Sequence, residues 1–481
     1  MRRRSKAHQP IRLRTSIILS VGLVALIIGC VSAVVLYRAV GKPLDDIVRY
    51  VERRLEGHSM LERVLVPMLE WVRINVSAVP TTLGTPRATC LDATPAFVEK
   101  SQRLEHTVPV RASRSRAATL RVGPGEKLTR IALAAQSAKE GDVIEVEAGT
   151  YLNDVATWNQ SSLTIRAVGG RAKLVSQGPT AEDKAIWVIN GDNVVIENFE
   201  FSGARVADRN GAGIRHQAGK LIVRNSVFTK NDIGIVSSNN ESSELVVERS
   251  EFCANGGDAA YKQTDPGHQI YVGTIRRFML SDSYVHQGVY GHLVKSRAQE
   301  NRIFYNRLTD EVGGRASYEI DLPNGGLAYV VGNIIGQSSQ SDNPAMISFG
   351  EEGYRWPRNE FYLVNNTLVD DLPSGGTYLK VKPGASNISV VNNVLLGNGD
   401  VDVSLIRPSA GNTKAEWSDM AHVAREDYHL KKSSRLIGSA VDPGEVNGVN
   451  LRPQREYVHP LASAPIPDSR LNPGALQTLA P

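Results

Sequence analysis

Cysteine is scarce in this chain, and the close spacing that marks a metal site is missing. Of three cysteines, Cys30 lies in an apolar run, which leaves Cys90 and Cys253 far apart. Those two either form one disulfide in an oxidising compartment or remain a buried thiol and a spare. Acidic residues are absent from the first 42 positions, which hold eight Lys and Arg. Subtracting those eight from the net charge of +5 leaves −3 for everything after them. The body is therefore not a polyanion-coating surface, and nucleic-acid binding is set aside. With 41% hydrophobic and 22% charged residues, the composition is that of a globular protein.

After the basic stretch 1–15, "IILSVGLVALIIGCVSAVVLY" offers about twenty uncharged, mostly apolar residues, enough to cross a bilayer. Residues 16–37 read as an uncleaved signal anchor. The alternatives are a cleaved signal peptide, with "VSA" ending at Ala33 as its cleavage site, and a lipoprotein box ending at Cys30; the length of the apolar core and the apolar residues after Cys30 favour the anchor. Six Lys and Arg before residue 16 favour a cytoplasmic tail. That places the chain in a bacterial inner membrane, single-pass, with its body in the periplasm or outside the cell. Apolar residues at helical spacing from Leu44 to Leu55 and from Leu61 to Val72 predict a pair of juxtamembrane helices over 44–76. Residues 77–118, rich in Pro, Ser, Thr and Arg, read as a linker.

From residue 119 a short apolar-x-apolar-x-Asn pattern recurs. Copies end at Asn198, Asn225, Asn306, Asn333, Asn366 and Asn393, with degenerate ones at Arg249 and Asp282. Successive spacings of 27, 24, 33, 24, 27, 33 and 27 residues correspond to one turn of a solenoid per copy. Each coil contributes short parallel strands whose inward residues stack on the next coil, and Asn at a repeated corner can hydrogen-bond its counterparts in a ladder.

The entry segment "LRVGPGEKLTRIALAAQSAKEGDVIEVEAGTY", a strand, a helix near 127–139 and a strand, resembles that of right-handed parallel β-helix proteins of the pectate-lyase-like superfamily. "DYHLKKSSRLIGSAVDPG" resembles their closing strand. The resemblance covers 119–475 and implies an all-β right-handed parallel β-helix with an N-terminal capping helix. The whole chain looks like a group of membrane-anchored bacterial repeat proteins of that fold without an assigned activity. Lys295-Ser296 matches a Lys-Ser found on a coil of β-helix chondroitin and alginate lyases. Where those families then carry an Arg-His pair, this chain has "YEIDLP".

Counting fourteen residues back from each corner aligns His268, His292, Glu319 and Glu352 in four consecutive coils; three residues on stand Tyr271, Lys295, Leu322 and Arg355. The column is confined to the middle coils, as a polymer-binding groove would be, whereas a wet face would scatter polar residues along the whole solenoid. Arg297 and Asp321 belong to the same block. Arg209 and His216 are candidates to extend the groove, with an exposed basic loop as the plainer explanation.

Three functions fit this column. A uronate lyase or C5-epimerase needs a cation on the sugar carboxylate and groups to move protons. Lys295, Arg297 and Arg355 supply the first; His268, His292 or Tyr271 the second. A non-catalytic carbohydrate-binding or scaffold protein would use Tyr318, Tyr354 and Trp356 to stack on sugar rings. A glycoside hydrolase would use Glu319 with Glu352, or Asp321, as its carboxylate pair. No cofactor is expected. A Ca²⁺ site from Glu319, Asp321 and Glu352 is the metal alternative, although no calcium-repeat motif is present.

Overall fold

The computed structural model describes Cys90 and residues 117–480, apart from 258–266, 312, 342, 402–410 and 467–470. The chain divides into two units, Met1–Pro80 and Thr81–Pro481. The expected tail, anchor and juxtamembrane helices fall outside the described residues, as does the linker apart from Cys90 and residues 117–118. Among the described residues no helix is long and apolar enough to cross a membrane.

Alternating sequence builds each coil. In Arg277–Ser281, Phe278 and Leu280 turn inward while Arg277, Met279 and Ser281 turn out. Tyr284–His286 and Val294–Ser296 complete that coil with two further faces. All three strands pair in parallel with their counterparts in the next coil, Glu300–Phe304, Arg307–Thr309 and Ile320–Leu322. The first two faces form one twenty-stranded sheet, because the long strands Val143–Leu152 and Thr164–Val175 run round the corner between them with a register shift at Glu147/Gly149. The third face is a separate ten-stranded sheet. Inward columns such as Ile214, Ile235, Ile270, Val294, Ile320 and Ile347 fill one continuous core with the stacked rings of Phe201, Phe228 and Phe252.

The Asn ladder exists, one residue away from where part of the repeat count puts it. Asn198, Asn225, Arg249 and Asp282 are left-handed corner residues, equivalent in later coils to Tyr305, Gly332, Asn365 and Asn392. The residue after each corner forms the ladder. Asn306 Nδ2 donates to Asn333 Oδ1 at 3.0 Å, Asn333 to Asn366 at 3.0 Å, Asn366 to Asn393 at 3.0 Å and Asn393 to Asn412 at 2.9 Å. In earlier coils Ser226, Ser250 and Ser283 hold these positions, and the hydroxyl of each later serine accepts the backbone N–H of the one before it. Each bond satisfies a buried polar group that would otherwise be costly.

The expected capping helix is Ile131–Ser137; Ile131, Ala134 and Ala135 are buried, and Asp154 accepts the backbone N–H groups of Ile131 and Ala132 at its start. The coils continue to Thr413–Lys414. From Ala415 the chain folds back over the outside of the second face, where Met420, Tyr428, Leu430 and Tyr457 bury Ile334, Val369, Val394 and Leu396. Asp427–Leu430, expected to close the solenoid, pairs antiparallel with Met420–His422 in this covering segment. Cys90 and Cys253 form a disulfide that ties the segment ahead of the coils to the second face, resolving the alternative the sequence left open.

Candidate functional site

The third face carries the column. Strand pairing aligns Tyr271 with Lys295, Lys295 with Asp321, Asp321 with Ser348 and Ser348 with Lys380, each beside at least one inward apolar residue. Parallel register alone therefore sets a tyrosine, a lysine, a carboxylate, a serine and a second lysine side by side. Lys295 Nζ lies 3.3 Å from Asp321 Oδ2 and 3.0 Å from Glu352 Oε1. Arg297, just past the strand, grips Glu352 with two bonds from Nη2, at 2.6 Å and 2.8 Å, and one from Nε at 3.2 Å. Its Nη1 donates to the Tyr271 hydroxyl at 2.6 Å, with the guanidinium over that ring.

His268 and His292 precede the column and stack with ring centroids 4.8 Å apart; His292 in turn meets Tyr318 at 5.1 Å. His268 Nδ1 accepts the backbone N–H of His292 at 2.9 Å, and His292 Nδ1 accepts that of Tyr318 at 3.3 Å. A backbone N–H can only donate, so each Nδ1 is unprotonated and the neutral ring carries its proton on Nε2. His292 Nε2 then faces Asp321 Oδ2 at 3.5 Å. The two histidines expected to move protons form a ladder that satisfies backbone donors from coil to coil. Their Nδ1 lone pairs are already engaged.

Burial, with Lys295 and Arg297 close by, pushes His292 down to about 3, and burial beside His292 and those cations pushes His268 down as well. Both rings are neutral at neutral pH. Burial raises the Asp321 carboxyl despite Lys295 and a hydrogen bond from Ser348. Burial also acts to raise Glu352, but bonds from Arg297 and Lys295 outweigh it and hold that carboxylate below its ordinary range.

Three expected members of the column lie elsewhere. Glu319 is fully buried, next to Ile320 in the core, and neither carboxylate oxygen has a hydrogen-bond partner. Burial, with Asp310 and Asp370 in range, pushes its carboxyl well up, so it is held uncharged. Tyr318 takes the place assigned to it. The cause is loop length: three residues, 297–299, link Val294–Ser296 to the next strand, whereas four, Pro323-Asn324-Gly325-Gly326, follow Ile320–Leu322. Gly325 and Gly326 have positive φ, which lets that turn absorb the extra residue. Glu352 is not on a strand; it reaches Lys295 and Arg297 from a turn after Ala345–Phe349. Arg355 points away, pairing with Glu241 at 2.7 Å.

Trp356 is buried and donates from Nε1 to the Arg297 carbonyl at 3.2 Å, so it positions Arg297 and offers no face to a sugar. Tyr318 and Tyr354 remain half-buried. Ser296 turns inward to Asn301. His216 is buried against the carbonyls of Ala218 and Gly219, outside the groove, and Arg209 lies at a left-handed turn ahead of Ala212–His216. The calcium set fails because Glu319 faces the core. Among the described residues the group with metal-type geometry is Glu251, Cys253 and His286, and there the sulfur is committed to the disulfide. The sequence reading missed Ser348, Lys380 and Glu351, whose Oε2 is 3.1 Å from Lys380 Nζ. The alternation of "MISFG" would have revealed Ser348 once the strand register was right.

No protein-family model matches the chain, and no curated protein matches it. Among solved structures it resembles pectate lyase Pel9A at 15% identity, over 75% of this chain and 97% of that one, with a TM-score of 0.51. That likeness, with the stacked parallel faces, shows a right-handed parallel β-helix. An alginate lyase of family PL6 also matches, at 12% identity over 76% of this chain and 60% of that one, with a TM-score of 0.29. The A-module of a mannuronan C-5 epimerase from Azotobacter vinelandii matches at 14% identity over 56% and 93%, with a TM-score of 0.25.

Proposed function

We propose that the third face binds a uronate-containing polysaccharide and removes the proton next to the sugar carboxylate, as a lyase or a C5-epimerase does. The observation that carries this reading is the grip of Arg297 and Lys295 on Glu352: the groove already holds one carboxylate through a planar, multiply bonded cation. A substrate carboxylate in the place of Glu352 has its charge offset, which lowers the cost of the enolate formed when the neighbouring C–H bond breaks.

With both histidines committed to the ladder, the proton-moving groups are Lys295 and Tyr271. Lys295 passes a proton to Asp321, whose buried carboxyl is readier than usual to hold one, and the freed amine takes the carbon-bound proton. Arg297 holds the carboxylate as it gains enolate charge. In elimination, the oxygen leaving the β-carbon takes the Tyr271 proton; in epimerisation, Tyr271 instead gives that proton to the carbon from the face opposite Lys295. Of the hydrolytic pairs, Glu319–Glu352 is not formed, while Asp321 and Glu352 do meet at Lys295.

The second reading is binding without catalysis. It is favoured by the histidine ladder, which commits to structure the nitrogens expected to do chemistry. The location proposed is a membrane-anchored protein with its β-helix outside the cytoplasm. The Cys90–Cys253 disulfide supports it, since such bonds persist in oxidising compartments.

The test is to incubate the full-length protein with alginate, polygalacturonate, chondroitin and glucuronan, following ultraviolet absorbance of the unsaturated product and solvent exchange at C5. Lys295→Ala and Arg297→Ala are each expected to lower turnover about a hundredfold or more. Binding without turnover would move the protein to the second reading. No binding to any uronate polymer would overturn both.

A further inference from the structure

The turn carrying Glu352 occupies more of the groove than one contact. Gly350 and Gly353, with φ of 87° and 96°, bracket Glu351 and Glu352, and the Gly353 N–H donates to the Gly350 carbonyl at 2.8 Å. From this tight reversal the two side chains reach different cations. Glu352 binds Lys295 and Arg297, while Glu351 binds Lys380 at 3.1 Å. Lys295 and Lys380 stand in the same outward column with Asp321 and Ser348 between them, three strand spacings or ~14 Å apart along the solenoid.

Charge balance makes the consequence definite. Lys295, Arg297 and Lys380 face Asp321, Glu351 and Glu352, so these six groups carry no net charge together and each of the three cations is already paired. The backbone of the turn is bonded to the preceding coil, from the Gly350 N–H to the Leu322 carbonyl and from the Glu352 N–H to that of Pro323, so the movable part is the two carboxylate side chains, whose departure leaves three cations against Asp321 alone. Glu352 and Lys380 are also the open members of the set, at 44% and 50% side-chain exposure, whereas Asp321 is buried at 4%. Glu352 meets the bonds of Lys295 and Arg297 from their solvent side, while the Glu351–Lys380 pair is the more exposed and individually the weak one.

We infer that the carboxylates of the Glu351–Glu352 turn are a displaceable internal dianion, and that the ligand which displaces them is a polyanionic chain reaching both the Lys295–Arg297 position and the Lys380 position. The inference rests on the uronate reading for the chemistry of that chain. A single carboxylate gains nothing by the exchange, because it replaces one carboxylate with another. A chain bridging both positions replaces both at once, and its second contact forms at high effective concentration. The turn thus selects against short anions and for polymers.

The experiment measures binding to the full-length protein and to the Glu351→Gln/Glu352→Gln variant by titration calorimetry at low salt. The probes are glucuronate, octamers from alginate and polygalacturonate, and dextran sulfate as a polyanion without uronate. The variant is expected to bind at least one uronate octamer about tenfold more tightly or better than the parent, with no comparable gain for glucuronate. Its thermal midpoint, recorded alongside, shows whether the substitution has altered folding. Octamer binding by the parent that is unchanged or weakened in a folded variant overturns the internal-dianion inference and leaves the uronate reading standing. A gain for dextran sulfate while neither form binds a uronate octamer keeps the turn's role and removes the uronate reading. An equal gain for glucuronate and octamers overturns the claim that two positions are bridged.

Discussion

Two clusters of similar chemistry stand on different faces of the same solenoid. On the third face, His292, Asp321, Lys295, Arg297 and Glu352 meet in a partly exposed cluster. On the second face, Glu251, His286, Glu311 and Arg307 meet beneath the returning C-terminal segment, with Glu426 reaching in to Arg307. Both arise in the same way, since parallel register sets outward residues of consecutive coils side by side. Cover and charge separate them. Burial would lower the pKa of His286, but Glu251 and Glu311 more than offset that and raise it, whereas burial and two cations hold His292 neutral. Glu311 is driven down to about 2 by His286 and Arg307 despite its burial. A histidine among carboxylates in a sealed interface is a structural ion cluster. A cation pair at an open edge is a place for a ligand. Residue types alone do not tell the two apart.

The largest effect that would break this comparison is in stability. Arg307→Met leaves the carboxylates of Glu311 and Glu426 buried without their guanidinium and is expected to cost about 3–5 kcal/mol in urea unfolding. Glu352→Gln removes a charge from an exposed turn and is expected to change stability by less than about 1 kcal/mol. Equal losses would mean that the groove cluster is as structural as the sealed one.

The pH dependence of stability gives an intermediate effect with opposite signs at the two histidines. The folded pKa of His286 is raised, so its contribution is fully present below the unfolded value near 6.5 and is lost as pH rises through the folded value. His292 is depressed to about 3, so the unfolded chain binds a proton the folded one refuses, and stability falls as pH drops from 6.5 toward 3. The advantage of the parent over His286→Gln should therefore shrink as pH rises above about 6.5. Between about pH 6.5 and about pH 4, His292→Gln should gain on the parent. Unfolding free energies measured across both ranges check the pair, and parallel slopes would contradict the assigned charge states.

Much of the fold was legible because the solenoid repeats one local rule. Alternation within strands and a recurrent corner were enough to give coils, a core and a ladder, even with the later copies counted one residue past the corner. The groove was legible in part. Lys295, Arg297, Asp321 and Tyr271 were found because strand and short turn keep them in step, while Glu319 and Glu352 were placed by counting across turns of unequal length. One residue of slip moves a side chain from the outward row to the core, which is how a carboxyl buried in the core was mistaken for a catalyst. The second-face cluster could not be seen at all. Glu251, Tyr284 and Arg307 read as ordinary outward positions until a segment more than a hundred residues later covers them.

The smallest effect sharpens the boundary between ladder and chemistry. In His292→Asn the amide oxygen sits where Nδ1 does and can accept the Tyr318 N–H, so the ladder bond survives while the imidazole is lost. If His292 only spaces the coils, binding and turnover on the active polymer should stay within about threefold of the parent. A group that moves a proton in the rate-limiting step would instead cost about a hundredfold to ten-thousandfold. His268→Asn, one coil earlier, tests the same bond to the His292 N–H and should behave alike. If one variant fell far more than the other, the affected histidine would leave the ladder reading and rejoin Lys295 and Tyr271 among the groups that move protons.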